Sequence, residues 1–445
     1  MIVRDDFDRM VTVWLDETAG AGVPDYLDET LEGLARIEQR PAWMRPWRWL
    51  TMQLAMPRVV IPRAPLYLAL LALLLALVLI GVAIAGSQHR LPPPYGIAAN
   101  GQIAFISDGQ LWTSRPDGSD SRQVTIDSSV KGLPVWSRDG TRIAFLSYAS
   151  PASAAVPSLI VANAGGSNPI TIVAETEGLR HVSFSPDSRL LAFSYWIVYP
   201  GQRDRIFIGP ADGSTTPTQV GDPDLSAFYP AFSPDGTRLA FVSDLCQPTN
   251  CPNTGGSNGA LHVMRVDGTA IEVLASGQVQ PAIDVDRWAR LIDWSPDGAT
   301  ILFTGLDLDD PATRSIYAVD PAGGAPPRRI DGGPGSSYGA TWSPDGGRIA
   351  YVRGDPASGW EAVVARPDGN EARVVARDVA RFGPQWSPDG TRIAVVDRSV
   401  GATGSIRIVP VDGEGPTFTL PIGGLTTGSE SAVGVDSIGW QRTAE

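Results

Sequence analysis

Hydrophobic positions follow three rhythms along the chain. Near the start, Phe7, Met10, Val11, Trp14 and Leu15 recur at helical spacing and form one stripe of a helix capped by Asp5 or Asp6. Gly20 and Gly22 end it, and Pro24 opens a second helix with Leu27, Leu31, Leu34 and Ile37 on one side and Asp28, Glu29 and Glu32 on the others. Two such short helices cannot bury their own stripes, so each needs a partner surface. The second rhythm is an unbroken apolar run without a charge, Leu66 to Ala85. Its length, about 30 Å as a helix, matches the hydrocarbon core of a bilayer. The third fills the rest of the chain, where short apolar strands alternate with turn residues.

The apolar run predicts one transmembrane helix over residues 65–86. Arg36, Arg40, Arg45, Arg48, Arg58 and Arg63 precede it, and Arg90 is the strong cation soon after it. That asymmetry puts residues 1–64 in the cytoplasm and the bulk of the chain outside the cell membrane. Trp43, Trp47 and Trp49 interleave with the arginines, which suits headgroup depth, so membrane lipid is the expected partner of residues 43–86.

The strands follow a repeated unit: Trp136-Ser-Arg-Asp-Gly140, Phe184-Ser-Pro-Asp-Ser188, Phe232-Ser-Pro-Asp-Gly236, Trp294-Ser-Pro-Asp-Gly298, Trp342-Ser-Pro-Asp-Gly346 and Trp386-Ser-Pro-Asp-Gly390. An apolar strand follows each copy, such as Ile143 to Leu146 or Ile393 to Val396. Pro sets φ at the first corner, Asp bonds back to the backbone and Gly takes the left-handed position, so each unit is a hairpin. A third strand and a second Asp-Gly turn come next, as in Leu111 to Ser119, and then a short fourth strand. Four antiparallel strands per repeat make propeller blades.

This pattern resembles the TolB-like, WD-repeat-like β-propellers over about Gly96 to Trp440. The ends fix the blade number. Asn100 to Phe105 has the turn and second strand without a preceding Trp strand, and Val435 to Trp440 is a Trp strand with nothing after it. Joined, they give seven blades in an all-β ring closed by the C-terminal strand, with no open sheet edge. The expected organisation is residues 1–64 cytoplasmic and helical, 65–86 membrane span, 87–96 linker and 97–445 propeller. A short acidic helical pair, one span and an external sensor also resemble membrane-bound anti-sigma factors. That likeness implies a cytoplasmic regulator, a sigma factor, at residues 5–38. The alternative is a helical anchor lying against the membrane. The zinc-binding variety is excluded, because no Cys or His precedes Ser87.

In such blades the first and third turns share one face of the disc, and the second turn and the blade-to-blade connection share the other. The first face carries the constant turns. The second carries the variable segments Ser147 to Pro157, Tyr195 to Arg203, Asp244 to Gly259, Gln278 to Arg290 and Gly305 to Arg314. Recognition usually sits on variable loops over a rigid scaffold. The candidate binding face is therefore Tyr195, Trp196, Tyr199, Arg203, Arg287, Trp288, Asp307 and Asp309, pointing away from the membrane toward a protein, peptide or envelope glycan. Cys246 and Cys251, the only cysteines, lie in the longest of these loops, and an oxidising compartment predicts a disulfide between them.

Composition narrows the chemistry. A net charge of -13 excludes a nucleic-acid surface, and of 35 cationic residues only Lys131 is a lysine. His89, His181 and His262 are too scattered for a triad or a zinc site, and His181 and His262 are expected inside blades. Asp307, Asp309 and Asp310 lack the spacing of a calcium loop. Gly255 to Gly259 and Gly335 to Gly339 match a nucleophile pattern, but a propeller loop offers no strand-to-helix elbow. Related propellers precede peptidase domains, and no such domain is expected after Trp440. No cofactor and no enzymatic activity are expected. The reading is a binding or sensing module, with a channel enzyme or a passive surface scaffold as rivals.

Overall fold

The computed structural model describes residues 95–149, 156–197, 203–244, 259–282, 291–397, 404–423 and 438–443. All lie in the second of two compact units into which the chain divides, Gln88–Glu445. The helices expected at residues 5–38 and the apolar run Leu66 to Ala85 fall outside the described residues. Among the described residues no helix is long and apolar enough to cross a membrane.

Seven antiparallel sheets form the seven expected blades. The innermost strands of blades 2 to 4 are Val130–Trp136, Arg180–Phe184 and Ser226–Phe232, and those of blades 6 and 7 are Ser336–Trp342 and Gln385–Trp386. Blade 1 takes its innermost strand from the far end of the sequence. Gly439–Thr443 pairs with Ala99–Ser107, with Trp440 opposite Ile103 and Gly439 opposite Ala104. Seven clusters of buried apolar residues lie at the blade interfaces. An open arc of seven blades would have six interfaces; the seventh cluster joins Ile103, Phe105 and Trp440 of blade 1 to Ile406, Ile408 and Leu420 of blade 7. The ring is closed.

The repeated turns are built alike. In all six the Ser hydroxyl donates to Asp Oδ1 at 2.5–2.6 Å. The same Asp oxygen accepts the backbone N–H two residues on, at 3.0–3.1 Å. Gly140, Gly236, Gly298, Gly346 and Gly390 take φ of 70–72°, and Ser188 takes 61° in the copy without Gly. The motif Trp residues do more than fill space. Trp136, Trp294 and Trp386 each donate their indole N–H to a backbone carbonyl of the preceding blade, at Gly439, Ala231 and Thr341. One residue thus supplies both the apolar wedge and the polar stitch between blades.

Blade 5 departs from expectation. Its innermost strand begins at Val279–Pro281, stops, and resumes at Ile292–Trp294, both pieces pairing with Ile301–Asp307. Thr304 alone bridges the break: Ala282 N–H donates to its carbonyl and its own N–H donates to Leu291. Gln278 to Arg290 is therefore not wholly a blade-to-blade loop, since Val279–Pro281 within it is part of the innermost strand. Gly305 to Arg314 is likewise no loop; Ile301–Asp307 and Asp310–Val319 pair almost to their ends around a tight turn. Tyr195 also belongs to a strand, Leu190–Ile197, opposite Arg205.

Two kinds of group make the fold pH-sensitive. Burial opposes the charge of Asp187, Asp235, Asp345 and Asp389, but the turn's own Ser and N–H donors hold each carboxyl below its usual value. Their stabilisation is present above about pH 3.8 and is lost as pH falls through the lowered values. His262 lies inside blade 4, 3% exposed, stacked on Phe241 and bonded through Nε2 to Ser243 Oγ at 2.7 Å. Burial drops its pKa to about 4. The unfolded chain then binds a proton that the fold refuses. Stability should be complete above pH 6.5 and fall by about 3 kcal/mol between pH 6.5 and about 4. His262→Gln, which keeps a partner for Ser243, should flatten that slope in urea melts run across this range. An unchanged slope would assign the loss elsewhere.

Candidate functional site

The innermost strands surround a central channel that encloses about 250 Å³. What faces it is decided by a β-bulge. The register slips by one residue between Gly132 and Val135, between Arg180 and Ser183, and between Phe228 and Ala231. Leu133, His181 and Tyr229 sit in these bulges with φ of 49°, 53° and 59°, and all three line the channel. Holding bulky residues in the left-handed region costs about 1 kcal/mol or more each, so the ring packing must enforce it. The His181 and Tyr229 rings lie 3.5 Å apart by centroid. Asp293, on the other side of Tyr229 in blade 5, also lines the channel and accepts the Trp342 N–H at 2.8 Å.

The constant turns form the rim of one mouth. A methyl group placed on Gly236, Gly298, Gly346 or Gly390 would sit 3.4–3.6 Å from the ring of Pro186, Pro234, Pro296 or Pro344, the proline of the neighbouring turn. Pro388 continues this ring, its carbonyl accepting the Ala98 N–H at 3.0 Å. The remaining two positions carry arginine. Arg138 replaces Pro in the blade 2 turn, and Arg442 follows Trp440-Gln441 where the other blades read Trp-Ser-Pro or Phe-Ser-Pro. Both line the channel. Tyr95 reaches across the same mouth. Its ring lies under the Arg138 guanidinium at 4.5 Å, and its hydroxyl donates to Phe232 carbonyl of blade 4 at 3.5 Å. Arg442 Nη2 donates to Gly96 carbonyl at 2.6 Å.

Of the residues expected to bind, the described ones lie in blades 3 and 5. Tyr195 is half-buried with its ring on Phe207, 4.2 Å between centroids, and burial raises its phenol pKa. Arg203, opposite Ile197, bonds the Asp224 carbonyl and lies 3.6 Å from the Asp224 carboxylate. Asp307 sits two blades away. Bonds from Asp309 N–H and from Gln278 Nε2 hold its carboxyl below the usual range, and Asp309 is exposed. Trp196 has its backbone opposite Asp204. Tyr199, Arg287, Trp288, Cys246 and Cys251 lie outside the described residues. Among the described residues no group of His, Cys, Asp or Glu could hold a metal ion. His262 is a blade-interior residue as expected. His181 is not: it lines the channel, as does Asp293. The signal for Arg138 and Arg442 was present as the two breaks in the proline pattern.

The family model of the TolB beta propeller domain matches residues 140–417. This chain belongs to the TolB β-propeller family. Protein TolB homolog of Chlorobium luteolum is 32% identical over 148 residues, which are 32% of this chain and 31% of that protein. The match thus spans about a third of that relative's length. Among solved structures, a prolyl endopeptidase superposes with a TM-score of 0.53 at 16% identity, over 76% of this chain and 51% of its own. An oligogalacturonate lyase in complex with manganese gives 0.51 at 14% identity, over 73% and 94%. These likenesses extend to the fold of the TolB-like propeller.

Proposed function

We propose that this TolB-family chain is a membrane-anchored, extracytoplasmic module that binds a protein or peptide on the face of its propeller opposite the constant turns. The observation that carries this reading is the sorting of the two faces. Six turns of one construction occupy one face, while the chain leaves Tyr148, Ile197, Asp244 and Val396 for its longer excursions from the other. A rigid disc with its variation confined to one side suits recognition. Anchoring rests on the apolar run Leu66 to Ala85 and the arginines before it, and a regulator-binding role for residues 5–38 rests on the apolar stripes in their sequence.

Thiol chemistry tests the placement. With intact cells, a membrane-impermeant maleimide should leave Cys246 and Cys251 unlabelled before reduction and label both afterwards. Labelling only after lysis would overturn the external location, and labelling without reductant would overturn the disulfide. For binding, replacing residues 245–256 by a short Gly-Ser turn should keep the melting temperature and remove the partners cross-linked to the parent protein. Unchanged cross-linking would move recognition away from these loops.

A further inference from the structure

Seven equivalent positions surround the channel mouth on the constant-turn face. Five carry proline and two, in adjacent blades, carry arginine. Only the arginine side chains are long enough to reach the channel wall, and both do. Burial, and then the charge of Arg138, push the Arg442 guanidinium down to about 10, so the pair is held against its own repulsion. The half-buried Arg138 guanidinium meets no protein acceptor among the described residues; its contact is the Tyr95 ring. Stacking occupies the flat face of a guanidinium and leaves its N–H edge in the plane, where a carboxylate binds with two parallel bonds.

We propose that Arg138 and Arg442 form a carboxylate-binding site at this mouth, and that its ligand is the carboxylate of a peptide whose adjoining residues enter the channel. The walls favour a peptide over a bare inorganic anion, since Trp136, Phe184 and Trp440 line the space beside the pair. The size favours a short stretch of chain: about 250 Å³ is somewhat below the roughly 300–1,000 Å³ of ligand pockets for drug-sized molecules. A polyanion such as nucleic acid would meet the field of a chain with net charge -13. The site lies opposite the long loops and stands whether or not those loops bind a partner.

The test titrates the full-length chain with three probes: N-acetyl-Gly-Leu with a free terminal carboxylate, the same peptide as its C-terminal amide, and N-acetyl-Asp-Leu-amide, whose only carboxylate is on a side chain. Trp136 and Trp440 beside the site make tryptophan fluorescence the readout, with a thermal shift in parallel. At least one acid should bind and the neutral amide should not. Which acid binds tells a chain terminus from an acidic side chain. Added salt should weaken binding. Arg138→Pro restores the turn of the other blades, so its melting temperature should equal or exceed that of the parent while affinity falls at least about tenfold. Arg138→Lys should fall between. Binding of the amide as tight as that of the acids, no response to either acid, or undiminished affinity in Arg138→Pro would each overturn the proposal.

Discussion

Deleting residues 438–445 should abolish the cooperative thermal transition of the propeller and shift it to aggregates in size-exclusion chromatography. The strand Gly439–Thr443 supplies more than its backbone pairing with Ala99–Ser107. Trp440, 5% exposed, belongs to the cluster shared by blades 7 and 1. Gly439 accepts the Trp136 indole N–H, and Gln441 donates to Gly140 carbonyl at 2.8 Å while accepting the Gln102 N–H at 3.0 Å. Its loss therefore loosens both interfaces of blade 1 and uncovers an unpaired strand edge. Trp440→Ala isolates the packing part and should cost about 3–5 kcal/mol in urea denaturation, with the deletion costing more. A truncated chain that melts and elutes like the parent would show that the ring does not depend on this closure.

The second large effect is expected at the lone lysine. Lys131 is 1% exposed on the innermost strand of blade 2, with Nζ at 2.7 and 2.9 Å from the two Asp127 oxygens, 3.1 Å from Ser147 Oγ and in contact with Ser129 Oγ. Burial opposes the Asp127 charge, yet bonds from Lys131 and Ser129 hold its carboxyl below the usual range. Asp127→Ala would strand a buried ammonium between two hydroxyls. Breaking such a pair from one side costs about 3–5 kcal/mol, and the low end applies because the Asp127 side chain is 53% exposed and water can replace part of it. Lys131→Met combined with Asp127→Ala removes charge and counter-charge together, so the double variant should lose less than Asp127→Ala alone. Additive losses in urea denaturation would mean that the two residues act independently.

The architecture was legible because its signals are local and repeated. Each Ser-Pro-Asp-Gly turn carries its own hydrogen-bond donors and acceptors, and the incomplete units at Asn100 and Trp440 announced the closure. What escaped notice depends on neighbouring strands. Nothing in the sequence of Gln278 to Arg290 marks Val279–Pro281 as strand, because that follows only from the pairing of Ile301–Asp307 with both Val279–Pro281 and Ile292–Trp294. Tyr195 reads as a loop residue until Arg205 and Phe207 are placed beside it. The channel wall was hidden for a related reason. A bulge re-aims a side chain without changing the apolar pattern, so Leu133, His181 and Tyr229 look like ordinary strand positions. Arg138 was visible as a broken motif, but its nearness to Arg442 required the ring to close.

That closure also sets an order in time. Gln102 and Gln441 are 339 positions apart. At about 5–20 residues per second, synthesis of the intervening chain takes roughly 20–70 s. Throughout that interval blade 1 lacks its innermost strand, and Ala99–Ser107 presents an open edge to every strand made after it. The six later hairpins are each complete as soon as they emerge, so they can form in sequence and leave the first blade waiting. Folding of this propeller is therefore gated by its last strand, and conditions that delay Trp440 prolong the period in which a neighbouring copy can take its place.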